Sequence, residues 1–317
     1  CLKMAVYEVF AHPELRRYKA SIISKASVFL VACFLLTFII PVLVTYRSGG
    51  FWIKESTYQE SPVIAFKHDF LLVLDLDGGQ VNYATYSTFQ KYNGMQWRNL
   101  RIPVVTSREE DENGDGRADL LKFNLEMPLL DTENVRGIRL VLFFYYKLVK
   151  YSSFHMESLA VVTETAPLPS EKVYISGDLS IKQKQTLAHR GIDTRYNDSL
   201  IDQTSSFAEE YNLQRLLETY SKRNVTTRLV SPDIVWTTYR APGSPFTLTA
   251  NIAYPNDETY RFRPGFWYMI KWAWVQYLSV LIIFLYIFER VKVFVFMNQL
   301  VTTIVEKASD VKNRRFT

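Results

Sequence analysis

"ASVFLVACFLLTFIIPVLVTY", residues 26–46, contains no charged side chain. A helix needs roughly 20 predominantly apolar residues to cross the hydrocarbon core of a bilayer, so this stretch predicts a membrane span. Pro41 near its end is compatible with that, because membrane helices tolerate proline. A long segment precedes the stretch and no small-x-small cleavage site follows it, which favours an uncleaved signal anchor over a removable signal peptide.

A second stretch, "GFWYMIKWAWVQYLSVLIIFLYIFER" at residues 265–290, predicts a second span. It is uncharged from Trp272 to Phe288. Phe266, Trp267, Tyr268, Trp272 and Trp274 form an aromatic belt at its start, and Lys271 can reach back to the headgroups. Gln276 and Ser279, three apart on one face, are expected inside a pair made by the two helices.

Orientation follows from the basic residues. Lys3, Arg16, Arg17, Lys19 and Lys25 precede the first stretch, and only Arg47 and Lys54 follow it closely. Arg290, Lys292, Lys307, Lys312, Arg314 and Arg315 follow the second, while Arg261 and Arg263 weaken the signal before it. Both termini are therefore expected to be cytosolic. The predicted organisation is a cytosolic segment at 1–25, a span at 26–46, an extracellular β-rich domain at 47–264, a span at 265–290 and a cytosolic tail at 291–317. With 37 Lys and Arg against 32 Asp and Glu, the net charge is only +5, and its excess sits beside apolar segments. That pattern points to a lipid bilayer and away from nucleic acid.

The only cysteines are Cys1 and Cys33, so no disulfide framework holds the middle of the chain. It must be stable by burial, and it alternates accordingly. "LKFNLEM" places Leu121, Phe123, Leu125 and Met127 on one face, and "FTLTANIAY" does the same with Phe246, Leu248, Ala250, Ile252 and Tyr254. "IRLVLFFYYKLV", residues 138–149, is apolar on both faces and predicts a central strand. "PVIAFKHDFLLVLDLDGG" and "KVYISGDLSI" add strands ended by glycine turns. Many short strands with turn signals predict a β-sandwich-like domain. One helix is expected, opened by a capping box from Ser206 to Glu209. Phe207, Leu213, Leu216, Leu217 and Tyr220 form its apolar face, and it should end near Arg223.

No catalytic constellation stands out. His12, His68, His155 and His189 are scattered, and there is no Walker loop, nucleophile elbow or H-E-x-x-H. The chain is therefore not expected to be an enzyme. One motif suggests a metal. In "DENGDGRADLLKF", Asp111, Asn113 and Asp115 offer oxygens from alternate positions, Gly116 allows a sharp turn, Arg117 offers its carbonyl, and Asp119 supplies a last carboxylate. Calcium takes six to eight hard oxygens gathered by such a turn. The bidentate Glu of the helical version is replaced by Lys122, but that residue lies on the outward face of a predicted strand, as in calcium loops between strands. A structural calcium is expected there, set against a plain solvated hairpin turn of the same residue types. Two sequons, at Asn197 and Asn224, both fall between the spans and predict a glycoprotein.

Several stretches together resemble the transmembrane protein 231 family of the ciliary transition zone. They are "MAVYEVFAHP" from Met4, "YRSGGFWIKESTYQE" from Tyr46, "TSREEDENGDG" from Thr106, "RYNDS" from Arg195, "KRNVTT" from Lys222, and "PGFWYMIKWAWVQYLSVLIIFLYIFERVKVFVFMNQLVTT" from Pro264. The resemblance implies a subunit of the Meckel-syndrome complex in the ciliary membrane. Such a subunit helps form a diffusion barrier and supports ciliogenesis and hedgehog signalling, with the other membrane and peripheral members of that complex as partners. Two further classes share features of the chain. Trimeric ligand-gated channels have the same two-span layout, but their large ectodomains are disulfide-rich. A calcium-dependent ligand-binding or glycan-binding ectodomain would use the Asp111 loop.

Overall fold

The computed structural model describes residues 16–49, 52–203, 205 and 207–307. Along the chain lie β1 (Arg16–Lys19), α1 (Lys25–Arg47), β2 (Ser56–Glu60), β3 (Val63–Asp77), β4 (Tyr83–Ser87) and α2 (Gln90–Met95). There follow β5 (Val104–Glu110), β6 (Leu120–Met127), β7 (Asn134–Leu148), the 31-residue β8 (Ser153–Gln183) and β9 (Ile192–Tyr196). The last elements are α3 (Leu213–Ser221), β10 (Val225–Thr238), β11 (Phe246–Ala253), β12 (Glu258–Phe262), α4 (Phe266–Met297) and β13 (Ile304–Lys307). They divide into two compact units, one from residues 1–53 and 266–317 and the other from 54–265.

In the first unit, α1 is capped by Ser24, whose hydroxyl accepts the Ser27 N–H at 3.3 Å. It has 23 residues and is long and apolar enough to cross a membrane; among the described helices it alone is a candidate span on that test. It packs against α4 through a stripe of small side chains, Cys33, Thr37, Pro41 and Thr45, spaced four apart and buried. Small residues let helix axes approach closely. The buried hydroxyls are satisfied within the helix, Thr37 donating to the Cys33 carbonyl at 2.6 Å and Thr45 to that of Pro41 at 2.7 Å.

The stretch 265–290 is helical from Phe266, and α4 runs on to Met297. The tail expected from residue 291 therefore begins as helix, because "VKVFVFM" contains neither glycine nor proline to stop it. The stop comes at Gln299, whose φ of +49° is left-handed, with Leu300 N–H donating back to the Val295 carbonyl. Gln276 is half-buried, whereas Ser279 is exposed and donates to its own helix at Val275. Beyond α4 the chain returns as β13 and pairs antiparallel with β1, a contact between the segments flanking the two helices that nothing in the sequence announced.

In the second unit the main sheet has the order β4-β3-β7-β8-β11-β6-β5, with β9 and β10 also on β8. β12 and β2 form a separate pair. β3 and β6 stand four steps apart, which in a flat sheet is roughly 19 Å. Yet the Phe70 and Phe123 rings are 5.2 Å apart, so the sheet folds face to face on itself. The fold runs through β8. Its first part pairs with β7, and its later part pairs with β10 and, in parallel, with β11. Between those parts, the register jumps from Gly137 opposite Thr165 to Val135 opposite Ser170. Pro167 and Pro169, which cannot donate to a ladder, fall in that jump.

One core lies between the two halves and includes Leu72, Leu140, Phe144, Phe123, Leu125 and Leu248, each at most 4% exposed. The alternating faces read from "LKFNLEM" and "FTLTANIAY" point into it. β7 is buried on both faces, as a central strand must be: Leu140, Leu142 and Phe144 point one way, Val141 and Phe143 the other. Its second face is covered by Phe89 and Tyr92 at α2 and by Tyr211, Leu216 and Tyr220 at α3.

The predicted helix is shorter than expected. A 3-10 turn at Ala208–Tyr211 precedes α3, which starts at Leu213 under an Asn212 cap accepting the Gln214 N–H at 2.9 Å. Ser206, proposed for a capping box, lies outside the described residues, and Phe207 is 76% exposed. Asn212 has φ of −68° and ψ of 121°, the extended backbone that an N-cap requires.

Candidate functional site

Asp111, Asn113, Asp115, Arg117 and Asp119 all fall in the loop between β5 and β6. The strands that carry it are paired from Val104 opposite Glu126 to Glu110 opposite Leu120. Asp119 is the anchor, only 9% exposed. One of its carboxylate oxygens accepts the N–H groups of Glu112 (3.0 Å) and Asn113 (3.2 Å), and the other accepts the Asn113 side-chain amide (3.1 Å). Its backbone closes the hairpin, donating to the Glu110 carbonyl and accepting from Tyr254.

The remaining oxygens are turned onto the loop's own backbone. Asp111 accepts from Gly114 at 2.7 Å, Asp115 at 3.3 Å and Gly116 at 2.8 Å. Asn113 Oδ1 accepts the Asp115 N–H, and Asp115 Oδ1 accepts the Arg117 N–H, each at 2.8 Å. Gly114 and Gly116 have φ of +71° and +83°, conformations that favour glycine. Among the described residues, no three His, Cys, Asp or Glu side chains gather where one ion could touch them all. The arrangement is a lattice of side-chain-to-backbone turns, and a carboxylate oxygen in such a turn retains a further lone pair for a ligand. Lys122 lies on the outward face, 2.6 Å from Glu110, and holds that carboxyl below the usual carboxylate range by hydrogen bonding.

A second polar cluster had no sequence signature. Glu258 accepts from the Ile181 N–H at 2.8 Å and from the Tyr146 and Tyr260 hydroxyls at 3.2 and 3.3 Å, while those two hydroxyls lie 2.7 Å apart. Tyr254 donates to Glu109 at 2.8 Å. Burial, with nearby negative charge, pushes all three phenols far above their ordinary range. Protonated phenols of this kind donate to the carboxylates and tie the strands together. Partners separated by over a hundred positions, such as Tyr146 and Tyr260, are invisible to any local pattern.

The two sequons differ. Asn197 and Ser199 are exposed just beyond β9. Asn224 is half-buried, its side-chain amide donates to Gln185 at 3.0 Å, and Thr226 is buried in β10.

Comparison with known proteins gives one consistent result. The family model described as Transmembrane protein 231 matches residues 4–305. Transmembrane protein 231 of Xenopus tropicalis is 48% identical over 301 residues, covering 95% of this chain and 96% of the frog protein. That of Mus musculus is 48% identical and that of Homo sapiens 47%, each over 95% of both chains.

Proposed function

Because the chain belongs to the transmembrane protein 231 family, we propose that it is a non-enzymatic scaffold and barrier subunit of the ciliary transition-zone membrane. In this reading it controls which membrane proteins enter the cilium and supports ciliogenesis and hedgehog signalling. Its partners are the other membrane and peripheral proteins of the Meckel-syndrome complex. It crosses the bilayer twice, through α1 and α4, with both termini cytosolic and the β-rich unit outside. The observation that carries the reading is the family match across nearly the whole chain. The basic flanks of the two helices support the orientation.

A barrier subunit works through surfaces, and the second unit supplies a rigid one, its strands pinned by the Glu258 and Asp119 clusters. The Asp111 loop serves there as a structural pin, with calcium as its proposed ion; Asn197 is its proposed principal glycan site. Proximity labelling from the tagged full chain in ciliated cells tests the function. Enrichment of other transition-zone membrane proteins is expected, and their absence from the labelled set would overturn the proposal.

A further inference from the structure

The end of the first unit that holds β1 and β13 contains a cleft of about 650 Å³. Its lining is amphipathic. Val293, Phe296 and Met297 of α4 and Tyr18 of β1 form an apolar floor, with Arg16, Lys292 and Glu289 at its edge. The floor is built by aromatic contacts: Phe296 meets Tyr18 in a tilted pair at 5.9 Å and Phe29 of α1 edge-on at 6.0 Å between ring centroids. Lys292 is half-buried and makes no ion pair among the described residues. Its neighbourhood is basic. Over Arg16–Lys25 and Glu289–Glu306 the chain carries Arg16, Arg17, Lys19, Lys25, Arg290 and Lys292 against Glu289 and Glu306. Glu306 is already engaged by Lys19 at 2.7 Å.

A half-buried ammonium beside apolar side chains at the end of a membrane helix calls for an anion attached to hydrocarbon. We infer that this cleft seats an anionic phospholipid of the cytosolic leaflet, its phosphate against Lys292 and Arg16 and an acyl chain along Val293, Phe296 and Met297. Basic pockets at cytosolic helix ends bind anionic headgroups through the same chemistry. Glu289 sharpens the assignment. The carboxylate at the same edge repels a multiply phosphorylated headgroup more than a singly charged one, so phosphatidylserine is the expected occupant. The helical continuation of α4 past Arg290 is what places Lys292 and Phe296 on the cleft, so the segment acts as a lipid clamp and not as a solvated tail. The inference rests on the two-span reading with internal termini.

The test is native mass spectrometry of the full chain in detergent micelles, titrated with phosphatidylserine, phosphatidylcholine, a polyphosphoinositide or inorganic phosphate. Phosphatidylserine should be retained at least about fivefold over phosphatidylcholine, with Arg16→Gln and Lys292→Gln each lowering its retention about fivefold. Lys292→Arg should retain it, which separates lost charge from lost folding. Equal retention of the two lipids, or preference for the polyphosphoinositide, would overturn the assignment. So would displacement of the lipid by phosphate alone. Protease protection of a terminal tag in sealed vesicles reads the orientation separately. External termini would overturn the two-span orientation, whereas internal termini with no headgroup preference would overturn the site alone.

Discussion

Replacing Asp119 by alanine separates the two roles assigned to its loop. The carboxylate accepts three hydrogen bonds, from the Glu112 and Asn113 N–H groups and from the Asn113 amide, at 3.0 to 3.2 Å. Bonds to a charged acceptor contribute about 1.5–3 kcal/mol each. Three such bonds at the bottom of that scale give about 4.5 kcal/mol; the released donors sit in an exposed loop where water replaces part of the loss, so the total should fall to about 3 kcal/mol. For a domain of this size, 1 kcal/mol corresponds to about 2–4 °C in Tm. Asp119→Ala in the fragment 54–265, a compact unit with its own core, should therefore lower Tm by about 6–12 °C in EDTA. Asp115→Ala, which loses only the Arg117 N–H bond on an exposed turn, should lower it by less than about 1 kcal/mol. Calcium is then added to about 10 mM. Extracellular calcium modules bind at about 0.1–1 mM, so this is a ten- to hundredfold excess over Kd and adds about 1.4–2.7 kcal/mol. The wild-type Tm should rise by several degrees, and Asp115→Ala should abolish the rise. Scanning calorimetry reads both arms. An unchanged Tm for Asp119→Ala in EDTA would refute the lattice, and no calcium effect on the wild type would refute the ion.

Three further outcomes are expected. Phe123→Ala removes a fully buried ring packed edge-on to Phe66 and Phe70; it should cost about 3–5 kcal/mol, read as a lower urea midpoint with an unchanged slope. The Asp193 carboxyl is held below its usual range by the Arg195 guanidinium, with an N–O distance of 2.7 Å. Its stabilisation is present above the ordinary carboxylate range and is lost as pH falls through the lowered value; Arg195→Gln should flatten stability over that acid window, and an unaltered pH profile would contradict the pairing. Asn197→Gln should remove most of the glycan-dependent mobility shift on electrophoresis, and Asn224→Gln should remove little, because the Asn224 amide is already bonded to Gln185.

The course of the polypeptide in the Asp111 loop was open to reading because its signals are local. Each acceptor lies within seven residues of its donor, so alternate Asp and Asn with Gly116 specify the turn before any tertiary contact forms. The strands of "LKFNLEM" and "FTLTANIAY" were legible for the same reason, since a period of two is written in consecutive residues. Helix boundaries were less so. The capping signal at Ser206 and that at Asn212 are chemically similar, and the packing of Leu216 and Tyr220 on β7 and β8 decides where the helix begins.

By itself, the sequence determined a charge-free stretch long enough to span a bilayer, a cysteine-free β domain and a family, because these depend on composition, short-range alternation and extended identity. The tertiary structure alone decided three other things. β8 turns the sheet back on itself at Pro167 and Pro169. Tyr146, Tyr260 and Glu258 meet although the first two are 114 positions apart. β1 and β13 bring the segments before α1 and after α4 together beside Lys292. Each depends on which distant surfaces become neighbours when apolar faces are buried together, and that pairing is set by the global packing of the chain and not by any window along it.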